Sequence, residues 1–294
     1  MTHPSLSLAG VILACAAATV VHAADDAAAA PKPSTASPSV HVLPPMTIAG
    51  LGRQRTIRLY LPPGYDGSLK AYPVLYMHDG QNLFDAATSF AGEWQVDETL
   101  DAMARDQGLE LIVVGIDNGA EHRMQELTAW DTRRAGHAEG AAYVDFIVDV
   151  VKPYIDANYR TLRDRSHTAI MGSSLGALIS HYAIHRHPDV FGMAGLFSPS
   201  YWYAPQAYDY TDAHRLPRNA RLYFYCGGKE DERMVANMQH MIQHERRGGL
   251  AAQSIRVDVD PEAQHNEAAW SREFPKAVAW LFAETGSESF SGGR

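Results

Sequence analysis

The chain has 294 residues, of which 46% are hydrophobic and 20% charged, enough for one large core and too ordinary for a fibrous or disordered protein. Acidic residues outnumber basic ones by 34 to 25, for a formal charge of −9. With no block of Lys or Arg in the sequence, a phosphate backbone finds no electrostatic footprint, and nucleic acid is not expected as a partner.

In chain order, the first element is a leader. LSLAGVILACAAATVV (6–21) is apolar and small, and Val21-His22-Ala23 offers a cleavage site before Ala24. This pattern predicts a signal peptide over 1–23 and an exported protein, periplasmic or secreted, although the first ten residues contain His3 and no Lys or Arg. The run is short for a membrane span, so no stable membrane insertion is expected. Lipidation of Cys15 is the alternative, and Leu13 suits it poorly two places earlier. Cleavage after Ala23 would leave Cys226 as the sole thiol, with no internal disulfide.

Residues 24–44, rich in Ala, Pro and Ser, read as a flexible linker, and 285–294 as a disordered tail. One domain is expected over 45–284. Within it, 56–61 alternates like a half-exposed strand. The runs 73–77, 109–116, 168–171, 193–197 and 222–225 are mostly continuous, as strands buried on both faces should be. Helices are expected over 93–105, 141–159, 175–185, 232–246 and 268–282. Such alternation predicts an α/β fold: a mainly parallel sheet with helices on both faces, binding ligands beyond the carboxyl ends of its strands.

The loop after the run at 168–171 reads Gly172-Ser-Ser-Leu-Gly176. It fits Gly-x-Ser-x-Gly in one frame, with Ser174 central; centring on Ser173 would put Met171 and Leu175 where glycines belong. Alone the pattern is weak. Between a buried strand and an amphipathic helix it predicts a tight turn that exposes the central hydroxyl above the sheet, with inert glycine-rich packing as the alternative. A serine hydroxyl needs a base oriented by an acid. Glu230, with Asp231 second, follows the run at 222–225. His265 follows the next strand and precedes the last helix. One oxyanion donor is expected at the Leu175 N–H and the other at the Gln81 N–H, in a loop where Gly80 permits close approach. His78 reads as structural. Among the 14 histidines, His181, His185 and His187 lie on or just past the helix after Ser174, and His240 and His244 lie one turn apart on another. Spacing shows no third metal ligand, so these read as solvated helix faces.

Together these residues resemble the Putative esterase branch of the α/β-hydrolases, which includes siderophore, feruloyl and acetyl-xylan esterases and the mycolyltransferases. The resemblance rests on PVLYMHDGQNLFD (73–85), VGIDNG with Arg123 and Glu126, MGSSLGALIS (171–180), FSPS (197–200), YCGGKED (225–231) and His265-Asn-Glu. It implies a triad of Ser174, Glu230 and His265, an acyl-enzyme, and no metal or cofactor. The implied substrate is a small-molecule or oligosaccharide ester. The acid position is often Asp in this family, so Asp231 stays open. Tyr201, Trp202 and Tyr203 are candidates to stack on a sugar or catechol ring, and Trp94, Arg123 and Trp130 to line the entrance. An acyltransferase using the same triad and a non-catalytic binding module on the same fold are the alternatives.

Overall fold

The computed structural model describes residues 32–283. The expected signal peptide with Cys15, the linker up to residue 31 and the tail lie outside them. Within the described residues, eight strands form one sheet in the order β1-β2-β4-β3-β5-β6-β7-β8. They are β1 (Val40–Ile48), β2 (Arg53–Tyr60), β3 (Val74–His78), β4 (Ile112–Ile116), β5 (Thr168–Ser173), β6 (Met193–Phe197), β7 (Arg221–Gly227) and β8 (Ile255–Asp260). Pairing is antiparallel from β1 through β2 to β4 and parallel across the remainder.

Strand β1 begins inside the stretch expected to be linker, and so corrects the boundary drawn at 45. Pro44 and Pro45 disguised it, since proline cannot donate to a ladder. They are tolerated here because β1 is an edge strand whose register shifts between Leu43 and Met46. The preceding residues are also engaged. Ser34 Oγ donates to Asp85 (2.9 Å), Thr35 Oγ1 to Glu93 (2.9 Å) and the Ser37 N–H to Asp97 (2.7 Å).

The continuous apolar runs are explained by burial on both faces. On β3, Val74 and Tyr76 join one core while Leu75 and Met77 join the other. The first core packs under the helices α3 (Gly140–Phe146), α4 (Lys152–Asn158), α5 (Leu175–Arg186) and α7 (Arg233–Arg247); the second packs under α1 (Val96–Gln107) and α8 (Glu267–Leu281). Short helices α2 (Arg123–Glu126) and α6 (Gln206–Ala213) had no distinct sequence signal. The single helix expected over 141–159 is α3 and α4 joined by a π-helical turn, Ile147–Val151. Pro153, which lacks the N–H an α-helix needs and crowds the carbonyl four residues back, accounts for the wider turn. The architecture is that of an α/β-hydrolase. No helix among the described residues is long and apolar enough to cross a membrane.

Candidate active site

Strand β5 runs into the turn that carries Ser174, whose φ of 58° and ψ of −118° lie where non-glycine residues are strained. The turn is held by backbone bonds: Ser174 N–H donates to Phe197 O (2.9 Å), and Ser200 N–H donates to Ser174 O (3.2 Å). A Cβ on Gly172 would sit 2.7 Å from the Gly176 carbonyl carbon, so this position must be glycine. The Ser174 hydroxyl contacts Ser200 Oγ at 3.1 Å. It makes no hydrogen bond to His265 among the described residues, yet both side chains line one cavity of about 690 Å³ at the carboxyl ends of the strands.

Glu230 and His265 do meet. His265 Nδ1 lies 2.7 Å from Glu230 Oε2, an N–H donating to a carboxylate, which leaves Nε2 with the lone pair. The other oxygen, Oε1, accepts from Ser198 Oγ (2.5 Å) and the Gly227 N–H (2.8 Å). Burial opposes ionisation of Glu230, but these donors hold its carboxyl below the usual range. Two backbone bonds, Gly228 N–H to Asp260 O (2.7 Å) and Lys229 N–H to Ala263 O (2.9 Å), fasten the acid loop to the histidine loop. Asp231 is exposed and paired with Arg233.

Ser198 and Trp270 carry the acid and the imidazole further than the sequence suggested. Trp270 Nε1 donates to Ser198 Oγ (3.0 Å), and its ring meets His265 edge-on with centroids 5.0 Å apart. Ser198 sits at φ 48°, a second strained position beside the first. The FSPS motif marked the segment, but spacing alone could not assign its serines.

Across the cavity, β3 ends in a loop shaped by Asp79 at φ 55°, which Arg123 clasps through Nε (2.6 Å) and Nη2 (2.8 Å), with Asn118 Nδ2 adding 2.6 Å. A Cβ on Gly80 would lie 2.8 Å from the Gly115 carbonyl carbon, which explains the glycine. The Gln81 side chain turns away to accept from Asn118 N–H (3.1 Å). Among the described residues, neither the Gln81 N–H nor the Leu175 N–H donates to a protein acceptor, so both donors are free.

His78 packs beneath this loop, with Nδ1 2.9 Å from the Tyr143 hydroxyl and Nε2 buried without a partner. Burial pushes it down to about 4 from an ordinary 6.5. The folded state therefore binds fewer protons than the unfolded chain between these values, and stability is lost as pH falls through that window. His78→Asn is expected to flatten the decline between pH 6.5 and 4 by about 3 kcal/mol, read from urea midpoints at each pH. An unchanged slope would contradict the assignment.

Of the expected lining residues, Trp94 is buried in the cavity wall against Phe197, Trp270 and Phe274. Arg123 reaches the cavity with its guanidinium committed to Asp79. Trp202 does not line it: the ring faces solvent beneath Arg134, 4.9 Å from the guanidinium carbon. Trp130 packs against Tyr182 and Tyr210, while Tyr201 and Tyr203 are buried. Phe90, 92% exposed at the rim, and Glu267, whose carboxyl burial pushes up, were missed. Phe90 carries no pattern that would have marked it, and Glu267 stood only in the His265-Asn-Glu motif with no role assigned.

His181 and His185 also depart from expectation. They are buried rather than solvated, and each contacts Glu245.

Residues 48–281 match the family described as Putative esterase. The uncharacterised protein YbbA of Bacillus subtilis is 28% identical over 247 residues, 79% of this chain and 94% of that one. The endo-1,4-β-xylanase/feruloyl esterase of Xylanibacter ruminicola is 23% identical over 236 residues, 79% of this chain but only 30% of that protein's length. The solved enterochelin esterase of Shigella flexneri superposes with a TM-score of 0.67 at 16% identity, over 86% of this chain and 60% of that one. At that identity the likeness speaks for the fold.

Proposed function

Because the chain belongs to the Putative esterase family of carboxylic ester hydrolases, we propose that it is an exported serine esterase working through an acyl-enzyme, with Ser174 as nucleophile, His265 as base and Glu230 as the acid that orients it. The observation that carries this reading is the 2.7 Å contact between His265 Nδ1 and Glu230, which frees Nε2 within the cavity that Ser174 lines. In the first step the Ser174 hydroxyl leaves Ser200, turns to Nε2, gives up its proton and attacks the ester carbonyl. The tetrahedral oxyanion is taken by the N–H groups of Leu175 and Gln81, assisted by the positive end of α5. The imidazolium then protonates the departing alcohol, and water repeats the sequence to release the acid.

Similar proteins are named for feruloyl and enterochelin esters, and the cavity offers Phe90, Trp94 and Trp270 as apolar walls. Both support acylated carbohydrate or siderophore-type esters as substrate. Export is supported by the leader pattern at 6–23.

A fluorophosphonate probe tests the chemistry directly. Wild-type protein is expected to label stoichiometrically and Ser174→Ala not at all. Absence of label on wild type, or equal label on both, rejects the assignment.

A further inference from the structure

On the far side of α5 from the strained turn lies a group of side chains that ester cleavage does not use. His181 and His185 stand one turn apart on α5 and Glu245 comes from α7; their exposures are 2%, 4% and 2%. Their donor atoms converge. Glu245 Oε1 lies 2.6 Å from His181 Nε2 and 2.7 Å from His185 Nε2, and the two nitrogens are 3.3 Å apart.

Hydrogen bonding alone leaves this arrangement short of protons. His185 Nδ1 faces the His214 carbonyl. A carbonyl oxygen only accepts, so Nδ1 carries the hydrogen and a neutral imidazole has a bare lone pair at Nε2. That lone pair faces a carboxylate oxygen and a second imidazole nitrogen. Either a buried imidazolium or a cation between the three relieves the repulsion. One ring nitrogen tied to a backbone carbonyl, with the other free, is the way metal-ligating histidines are held. The separation of the nitrogens also matches the edge of a tetrahedron with bonds of about 2.0–2.1 Å; the carboxylate need withdraw by only about 0.6 Å.

Tyr201 supplies an independent observation. It is fully buried, its hydroxyl has no hydrogen-bond partner among the described residues, and its ring centroid is 5.5 Å from that of His181. A buried, unpaired phenol on a ring that packs against His181 is a polar group left without the partner that a site holding a metal-bound water would provide.

We propose that His181, His185 and Glu245 bind one divalent first-row transition-metal ion, zinc by ligand type, with the fourth position left for water. His181 lies about 10 Å along α5 from Ser174, at 1.5 Å per residue, so the ion takes no part in the chemistry. It clamps the helix behind the nucleophile to α7.

The test uses the full chain, unfolded in guanidinium with EDTA and refolded with or without Zn²⁺. Expected are about one ion per chain retained through gel filtration, a Tm higher by roughly 5 °C or more, and the visible spectrum of a four-coordinate site when Co²⁺ replaces Zn²⁺. His185→Gln should lose all three. His240→Gln should keep them, although His240 and His244 bring their Nε2 atoms to the same 3.3 Å on α7. If His185→Gln does not fold, Glu245→Gln takes its place, and if neither folds the wild-type results decide. No retained ion, a six-coordinate cobalt spectrum, or retention that fails in His240→Gln while surviving in His185→Gln overturns the proposal.

Discussion

Ser174→Ala is expected to lower kcat/KM for an activated aryl ester by about 10⁵-fold, near 7 kcal/mol of transition-state stabilisation, with the fold unchanged. The size follows from the role: without the hydroxyl no acyl-enzyme forms, and only the free N–H donors and the cavity remain to act on water. Ser173→Ala is the control, because Ser173 ends β5 as a buried strand residue and lies outside the turn's centre. It should keep activity within a few-fold. A third variant separates chemistry from backbone strain. Ser174→Gly removes the nucleophile and also the cost of holding φ 58° and ψ −118° with a side chain, so it should be inactive yet more stable by about 1 kcal/mol. Calorimetry and ester turnover on the three proteins check this together; an active Ser174→Ala, or an inactive Ser173→Ala, would sink the assignment.

Glu230→Gln is expected to lower kcat by about 10³- to 10⁴-fold, and Asp231→Asn to leave it within about twofold. The carboxylate fixes the proton on His265 Nδ1, so that Nε2 can accept from serine. A carboxamide can instead present its N–H₂ to Nδ1, which favours the tautomer with hydrogen on Nε2 and disables the base. Asp231 has no such influence, since its carboxylate is committed to Arg233 at 2.9 Å and faces solvent. Steady-state kinetics on both variants read the difference. Equal losses, or a loss confined to Asp231→Asn, would move the acid one residue along.

Much of this was legible in the sequence because the signals are local. The parallel strands β3 to β7 showed as apolar runs, and the Ser174 turn as the one frame in which glycines flank a serine. The order of serine, acid and histidine then narrowed the choice to Glu230 or Asp231. What separates those two in the proposed assignment is not local: only Glu230 meets an imidazole, 35 positions away. Trp202 was misplaced for a related reason. An aromatic residue beside FSPS has the same composition whether it faces the cavity or, as it does, solvent under Arg134. His181 and His185 looked like a polar stripe because helical spacing reveals a shared face but not what covers it; Glu245, 60 residues further on, does. Strand β1 was hidden by prolines that an interior strand would have excluded.

The short stretch from Ser34 to Ser37, ahead of β1, is tied to the folded domain. Its hydroxyls and amide are donors to Asp85, Glu93 and Asp97, carboxylates on the same span of sequence that supplies Phe90 and Trp94 to the cavity. A shortened version begun at residue 45, where composition changes, would strip those acids of their donors and cut β1 in half. These few residues ahead of β1 thus also brace the rim of the cavity.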